Sequence, residues 1–164
     1  MAIRIERTFT IAASIHRVGR ALSSEHYSIE WARMREAVQS AHHVVIHGDL
    51  EGQLEYEVRY VEYARTTTGT IDRGKTQHAV TRAVWDAEAQ TLRWTYTTEA
   101  SERFRIEGLY RLTDEGDETR VDYQVTIDVR VPLIGGAIAK RVARSYEETL
   151  QRVPALLAKH ATRS

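Results

Sequence analysis

Along this chain apolar and polar residues follow two periods, and the period changes at a few places only. Ile3, Ile5 and Phe9 alternate with Arg4, Glu6, Thr8 and Thr10, which predicts a first strand over Ile3–Thr10. Ser14 then opens a helical stretch in which Ile15, Val18 and Leu22 form one stripe, with Ser14 as its N-cap. A second short helix is expected in "EHYSIEWARM", with Tyr27, Trp31 and Met34 on its apolar side and Ser28 as a candidate cap. From about Ser40 the period becomes two, and a strand runs to a turn at Gly48-Asp49. The next stretch, "GQLEYEVRYVEYART", places Leu54, Tyr56, Val58 and Tyr60 on one face. Its apolar set then moves to Val61 and Tyr63, which predicts a bulge or strong twist near Tyr60, with a bulge carrying Glu62 to the other side.

Gly69 and the "DRG" at 72–74 read as a connection, followed by a strand in "KTQHAVTRAVWD". Leu92, Trp94 and Tyr96 share one face of a further strand. Phe104, Ile106, Tyr110 and Leu112 share one face of the next, with Gly108 in their row. The cleanest alternation runs from Val121 through Tyr123, Val125, Ile127 and Val129 to Val131, with Asp122, Gln124, Thr126, Asp128 and Arg130 between them. In "VPLIGG" the period switches. Pro132 ends strand pairing, and Gly135 and Gly136 let the chain turn. Ile134, Ile138, Val142, Tyr146, Leu150 and Val153 then mark a long amphipathic helix from about Gly135 to about Lys159, bent by Pro154.

Short connections between successive strands favour an antiparallel meander. The expected fold is α+β: a curved antiparallel sheet of six to seven strands wrapped on a long C-terminal helix, with two short helices after the first strand. The 164 residues suffice for one domain with its own core, and no repeat or linker divides them. A single domain over 1–164 is therefore expected.

Element order, together with "VPLIGG" leading from the last strand into the final helix, resembles the START-like (SRPBCC, helix-grip) superfamily of polyketide cyclases, pollen-allergen-type proteins and lipid-transfer domains. The segment "LSSEHYSIEWARMREAV" is similar to one bacterial branch of that superfamily, of uncharacterised function. The resemblance covers essentially the whole chain. It implies an apolar ligand held between sheet and long helix. Contacts would come from the inward strand faces and from the stripe of Gly135–Leu157.

Independently of that resemblance, Tyr56, Tyr60, Tyr96, Tyr110, Tyr123 and Trp94 all fall on predicted inward faces. Phenols on one concave surface make a mostly apolar pocket with a few hydroxyls, as small-molecule sites require. The same residues could also simply fill the core. The resemblance extends the candidate set to Val58, Phe104 and Val125 on the strands, Ile138 and Tyr146 on the long helix, and Tyr27 and Trp31 on the second short helix. Trp31, Trp94 and Tyr146 are bulky enough to close the space instead of lining it.

Other chemistry finds less support. Cysteine is absent, which excludes disulfides, thiolate nucleophiles and Cys-ligated metals. It also fits a reducing compartment, and the charged N-terminus lacks a signal peptide's apolar core, so a cytoplasmic location is expected. No run approaches the roughly 20 apolar residues of a membrane helix. The 23 basic and 23 acidic residues balance, so no global field attracts nucleic acid. His43 and His47 share a strand face but lie about 13 Å apart, too far for one metal without a third ligand such as His78. Neither a metal nor a cofactor is expected. His26, beside Tyr27 and Glu30, is a candidate for a cavity entrance, whereas His16 and His160 read as solvent-facing.

Arg82 shares parity with His78, Val80 and Val84, which leaves an inward position open to it. Glu55 and Glu57 share a face, yet nothing sets a carboxylate in the apolar surroundings that acid catalysis needs. The basic residues of the final helix read as a solvated face, with Glu148 four residues from Arg144 and Arg152. Three functional readings follow. The first is binding or transfer of an apolar or aromatic small molecule, lipid or polyketide-like. The second is a cyclase-, dehydratase- or hydrolase-type enzyme using the same cavity. The third is a protein-interaction role with the cavity filled. The ligand and the oligomeric state are not legible in the residues.

Overall fold

In the computed structural model, which describes residues 2–66, 70–99 and 102–163, strand β1 (Ala2–Ile11) leads into helices α1 (Ile15–Leu22) and α2 (Glu25–Arg33). Six strands follow: β2 (Val38–Gly48), β3 (Gln53–Arg65), β4 (Ile71–Asp86), β5 (Thr91–Thr98), β6 (Phe104–Asp114) and β7 (Thr119–Val129). Helices α3 (Gly135–Leu150) and α4 (Val153–Ala161) end the chain. The seven strands make a curved antiparallel sheet in the order β1-β7-β6-β5-β4-β3-β2. The meander from β2 to β7 needs only hairpins. The two short helices carry the chain across from β1, which pairs with β7 at Ile5↔Val125. This is the helix-grip architecture, with α3 against β7 and β1, and α4 against α1 and α2.

The inner face of the sheet carries the alternating apolar rows. Val121, Val125 and Ile127 on β7 are fully buried, and so are Val18 on α1 and Leu157 on α4. Gly108 sits where the indole of Trp94 crosses β6. A Cβ there would come 2.1 Å from the ring, so only glycine admits the tryptophan in this position. At the Gly48 turn φ is 83°, and an added Cβ would strike the Gln53 carbonyl at 1.9 Å.

Ser14 caps α1 by accepting from the Arg17 amide. For α2 the cap is Ser24, not Ser28, because the helix begins one turn earlier and buries Ser28. The irregularity expected near Tyr60 lies on the neighbouring strand: the β2–β3 ladder shifts between Val38 and Ser40, opposite Glu62 and Val61. β3 itself pairs with β4 without a break from Gln53 to Tyr63, so Glu62 does not change sides, and the β3–β4 irregularity falls between Tyr63 and Ala64. Its cause lies across the ladder: Asp72–Gly74 belongs to β4, not to a connection, and the chain there loops out where the Asp72 carboxylate accepts from the Gly74 amide. Gly69 lies outside the described residues.

On β4 the inner row is Ala79, Thr81, Ala83 and Trp85, so Arg82 points to solvent and pairs with Glu57 at 3.0 Å. The C-terminal helix is interrupted at Gln151–Arg152. Pro154 has no amide hydrogen for the Leu150 carbonyl, so α3 closes there and α4 restarts with the proline in its first turn. Glu148 forms no ion pair with Arg144 or Arg152, whereas its neighbour Glu147 reaches Arg7 on β1 at 3.4 Å. His160 is not solvent-facing. Its side chain is 4% exposed, and Nε2 lies 3.3 Å from Glu30. No helix is long and apolar enough to cross a membrane.

Candidate functional site

The inward tyrosines divide between two spaces of very different size. The first lies between α1, α2 and the sheet. Tyr27, Trp31, Tyr56, Val58, Tyr60, Trp94, Tyr110 and Tyr123 line it, with Leu22, Ser28, Thr81, Ala83 and Leu92. Its volume is about 50 Å³, room for a few waters. The rings themselves fill this region. Tyr110 and Tyr123 stack with centroids 3.8 Å apart, and Trp94 stacks on Tyr146 at 6.5 Å. The Tyr27 and Tyr110 hydroxyls are 3.3 Å apart. Burial raises the pKa of Tyr27, Tyr110 and Tyr123 well above the ordinary phenol value. These phenols are therefore neutral donors and acceptors, not acids.

The second space is a recess of about 690 Å³ between the end of α2, the β3–β4 hairpin, the inner face of β5–β6, and α3. Trp31, Tyr96, Phe104 and Tyr146 from the candidate set line it, along with Ile106 and Val142. A third space of about 220 Å³ shares Arg65, Tyr96 and Phe104 with the recess and continues along Val129, Val131, Ile134 and Ile138. Ligand sites commonly span about 300–1,000 Å³, so the recess has the right size and the tyrosine-lined void does not. Val125 lines none of these spaces. It is packed solid beneath the helices.

A buried polar network stands at the wall of the recess. Glu62 is 2% exposed and keeps the inner row of Leu54, Tyr56, Val58 and Tyr60. Arg35, just beyond α2, donates to it at 2.9 Å, Gln77 at 3.1 Å, and the Tyr96 hydroxyl also donates to it. The Arg35 guanidinium lies within 5.7 Å of the Trp31 ring, 5.2 Å of Tyr60 and 4.9 Å of Tyr96. Burial opposes its charge, but the oxygens of Tyr96, Glu62, Tyr146 and Tyr60 outweigh that and hold its proton more firmly than usual. Its second terminal nitrogen, Nη1, is buried without a hydrogen-bond partner. Burial also raises the Tyr96 and Tyr60 phenols, against the pull of Arg35.

The pattern of the chain hides part of this site. Glu62 is readable in retrospect as the fifth even position of a buried row, but the flanking Val61 and Tyr63 suggested a change of face. Arg35 follows a helix in a turn, where no period applies. The histidines do not converge. His43 stacks on Tyr56 at 4.6 Å on the inner side, and burial lowers its pKa, while His78 is exposed. His26 does not reach the sheet–helix space. It stacks on His160 at 6.5 Å beside a surface recess formed with α1 and α4. Among the described residues, no group of three His, Asp or Glu is placed to hold a metal ion.

Solved structures share the fold over nearly the full chain. TTHA0849 from Thermus thermophilus is 22% identical with a TM-score of 0.63, covering 98% of this chain and 97% of its own. The Zhui aromatase/cyclase from Streptomyces sp. R1128 is 13% identical with a TM-score of 0.67, covering 99% of this chain and 95% of its own. A START superfamily protein from Mycobacterium smegmatis is 13% identical with a TM-score of 0.61, covering 95% and 97%. No curated protein matches the chain by sequence. The likeness to these structures is one of fold, and it agrees with the START-like helix-grip architecture. One family model matches residues 6–160, and the chain therefore belongs to the family described as "Protein of unknown function (DUF2505)".

Proposed function

We propose that this chain, as one START-like domain, binds an apolar or aromatic small molecule in the recess between the sheet and α3. The observation that carries the reading is the 690 Å³ recess walled by Trp31, Tyr96, Phe104 and Tyr146, of a size that accepts a small ligand. The adjoining strip from Val129 to Ile138 offers apolar surface for the rest of such a molecule. Lack of cysteine agrees with a reducing cytoplasm as the place where it acts. Titration with the neutral dye N-phenyl-1-naphthylamine tests the reading. Saturable fluorescence enhancement is expected, and Ile138→Trp, which places an indole in the strip, abolishes it while leaving the folded chain intact. An absence of enhancement, together with no co-purified mass in native mass spectrometry, would sink the proposal.

A second reading, chemistry on the bound ligand, is favoured by one observation. The Tyr96 hydroxyl donates to the buried Glu62 carboxylate, and Tyr96 lines the recess, which sets a phenol–carboxylate pair at its wall. The Zhui protein, an aromatase/cyclase, uses the same fold, which lends this reading some weight. A bound mass that changes with time in the wild-type chain, and stays unchanged in Tyr96→Phe, would separate catalysis from simple binding.

A further inference from the structure

The recess wall carries more positive charge than a neutral ligand needs. Arg35, Arg65, Arg73, Arg141 and Arg152 line it, and Arg103 lines the adjoining strip. Among the described residues that line these spaces, only Glu36, Glu62 and Glu148 oppose them, in a chain whose overall charge is zero. Glu36 is engaged by Arg73 at 2.8 Å, and Glu62 by Arg35. Arg141 and Arg152 have no carboxylate within ion-pair distance among the described residues. Burial, and then the neighbouring Arg35 charge, lowers the pKa of Arg65, against the pull of Tyr96, Glu62 and Glu36. Nη1 of Arg35 is a buried donor left without an acceptor, an arrangement that costs free energy until an oxygen reaches it.

We propose that the ligand is an amphipathic organic acid. Its apolar or aromatic body lies along Tyr96, Phe104 and Ile138, and its acid group is held at the arginine-rich mouth with an oxygen on Arg35 Nη1. The inference rests on the binding reading above and names the chemical class that the site takes. One anionic oxygen completes the guanidinium's hydrogen bonding, and the negative charge is attracted by the arginines that line the recess. A neutral ligand of the same shape does neither. Arg141 and Arg152, exposed on the rim, contribute long-range attraction that salt screens.

A matched pair of dyes tests this. 8-Anilinonaphthalene-1-sulfonate and N-phenyl-1-naphthylamine share an aromatic body and differ in the anionic group. The sulfonate is expected to bind the wild-type protein at least about fivefold more tightly, with the advantage shrinking as salt rises. Arg141→Gln on the exposed surface of α3, with Arg152→Gln in the exposed turn between α3 and α4, should weaken the sulfonate at least about threefold and the neutral dye much less. Arg35→Lys keeps a cation for Glu62 but loses the planar fork, and it should likewise weaken mainly the sulfonate. Thermal unfolding of each variant confirms that it is folded. If the neutral dye binds as tightly as the sulfonate, or if the variants weaken both dyes alike, the acid-group inference is overturned while the binding reading stands. If neither dye binds the wild-type chain, both fall together.

Discussion

The Arg35–Glu62 pair sets up a prediction whose size follows from burial. The two side chains are 16% and 3% exposed and 2.9 Å apart. Solvent screening, which reduces surface pairs to a few tenths of a kcal/mol, is weak here. Glu62→Leu leaves the guanidinium buried among three aromatic rings without its carboxylate, and removing one partner of such a pair costs about 3–5 kcal/mol. For a chain of this size each kcal/mol moves Tm by about 2–4 °C, so the expected fall is roughly 6–20 °C. Arg35→Met should also be costly, because Glu62 then keeps only the Gln77 and Tyr96 donors. The double variant Arg35→Met with Glu62→Leu removes both charges and restores stability to near the wild-type value. Tyr96 and Gln77 line the recess and the adjoining strip, so water can replace Glu62 as their partner. Urea unfolding of the four proteins closes a double-mutant cycle with an expected coupling of at least about 2 kcal/mol. Single substitutions that each cost under about 1 kcal/mol and simply add would refute the assignment of a desolvated pair.

Two further outcomes follow from the aromatic core. Gly108→Ala drives a methyl group into the Trp94 indole and should cost about 1–3 kcal/mol by chemical denaturation, and adding Trp94→Leu should recover part of that loss. Seven of the eight tyrosines, Tyr27, Tyr56, Tyr60, Tyr96, Tyr110, Tyr123 and Tyr146, have their pKa raised, with burial the largest cause in each. A raised phenol pKa means that the folded state holds the proton longer than the unfolded one, so this stabilisation is complete below about pH 10 and is lost as pH rises beyond it. Absorbance at 295 nm should show these seven ionising together with cooperative unfolding. Gradual ionisation while near-UV circular dichroism remains native would contradict their burial.

Much of this architecture was legible one residue at a time. A strand that buries one side must alternate, and a helix that buries one stripe must repeat every three or four residues. The rows of β3, β5, β6 and β7, the stripe of α3 and the Ser14 cap therefore stood in the sequence, and so did the inward direction of Tyr56, Tyr60, Tyr96, Tyr110 and Tyr123. Where a local pattern had two solutions, the sequence left the face open, as on β4, or favoured the wrong one, as at Glu62. On β4 small alanines faced the core while the larger Val80 and Val84 faced outward, because bulky rings from β3 and β5 already occupied the interior opposite Ala79 and Ala83. At Glu62 the apolar neighbours outweighed the parity that governed the strand.

Which space stays open was decided only by the tertiary structure. Period and parity say that an aromatic side chain points inward, but not what it meets there. Gly108 admits Trp94, Trp94 stacks on Tyr146, and Tyr110 covers Tyr123, so most of the expected tyrosine-lined cavity is occupied by its own walls. The open volume lies instead beside α3, where the turn after α2 brings Arg35 to a carboxylate 27 residues further along. Volume and charge pairing depend on which distant side chains meet, so alternation alone determined the sheet and the helix, and packing decided the site between them.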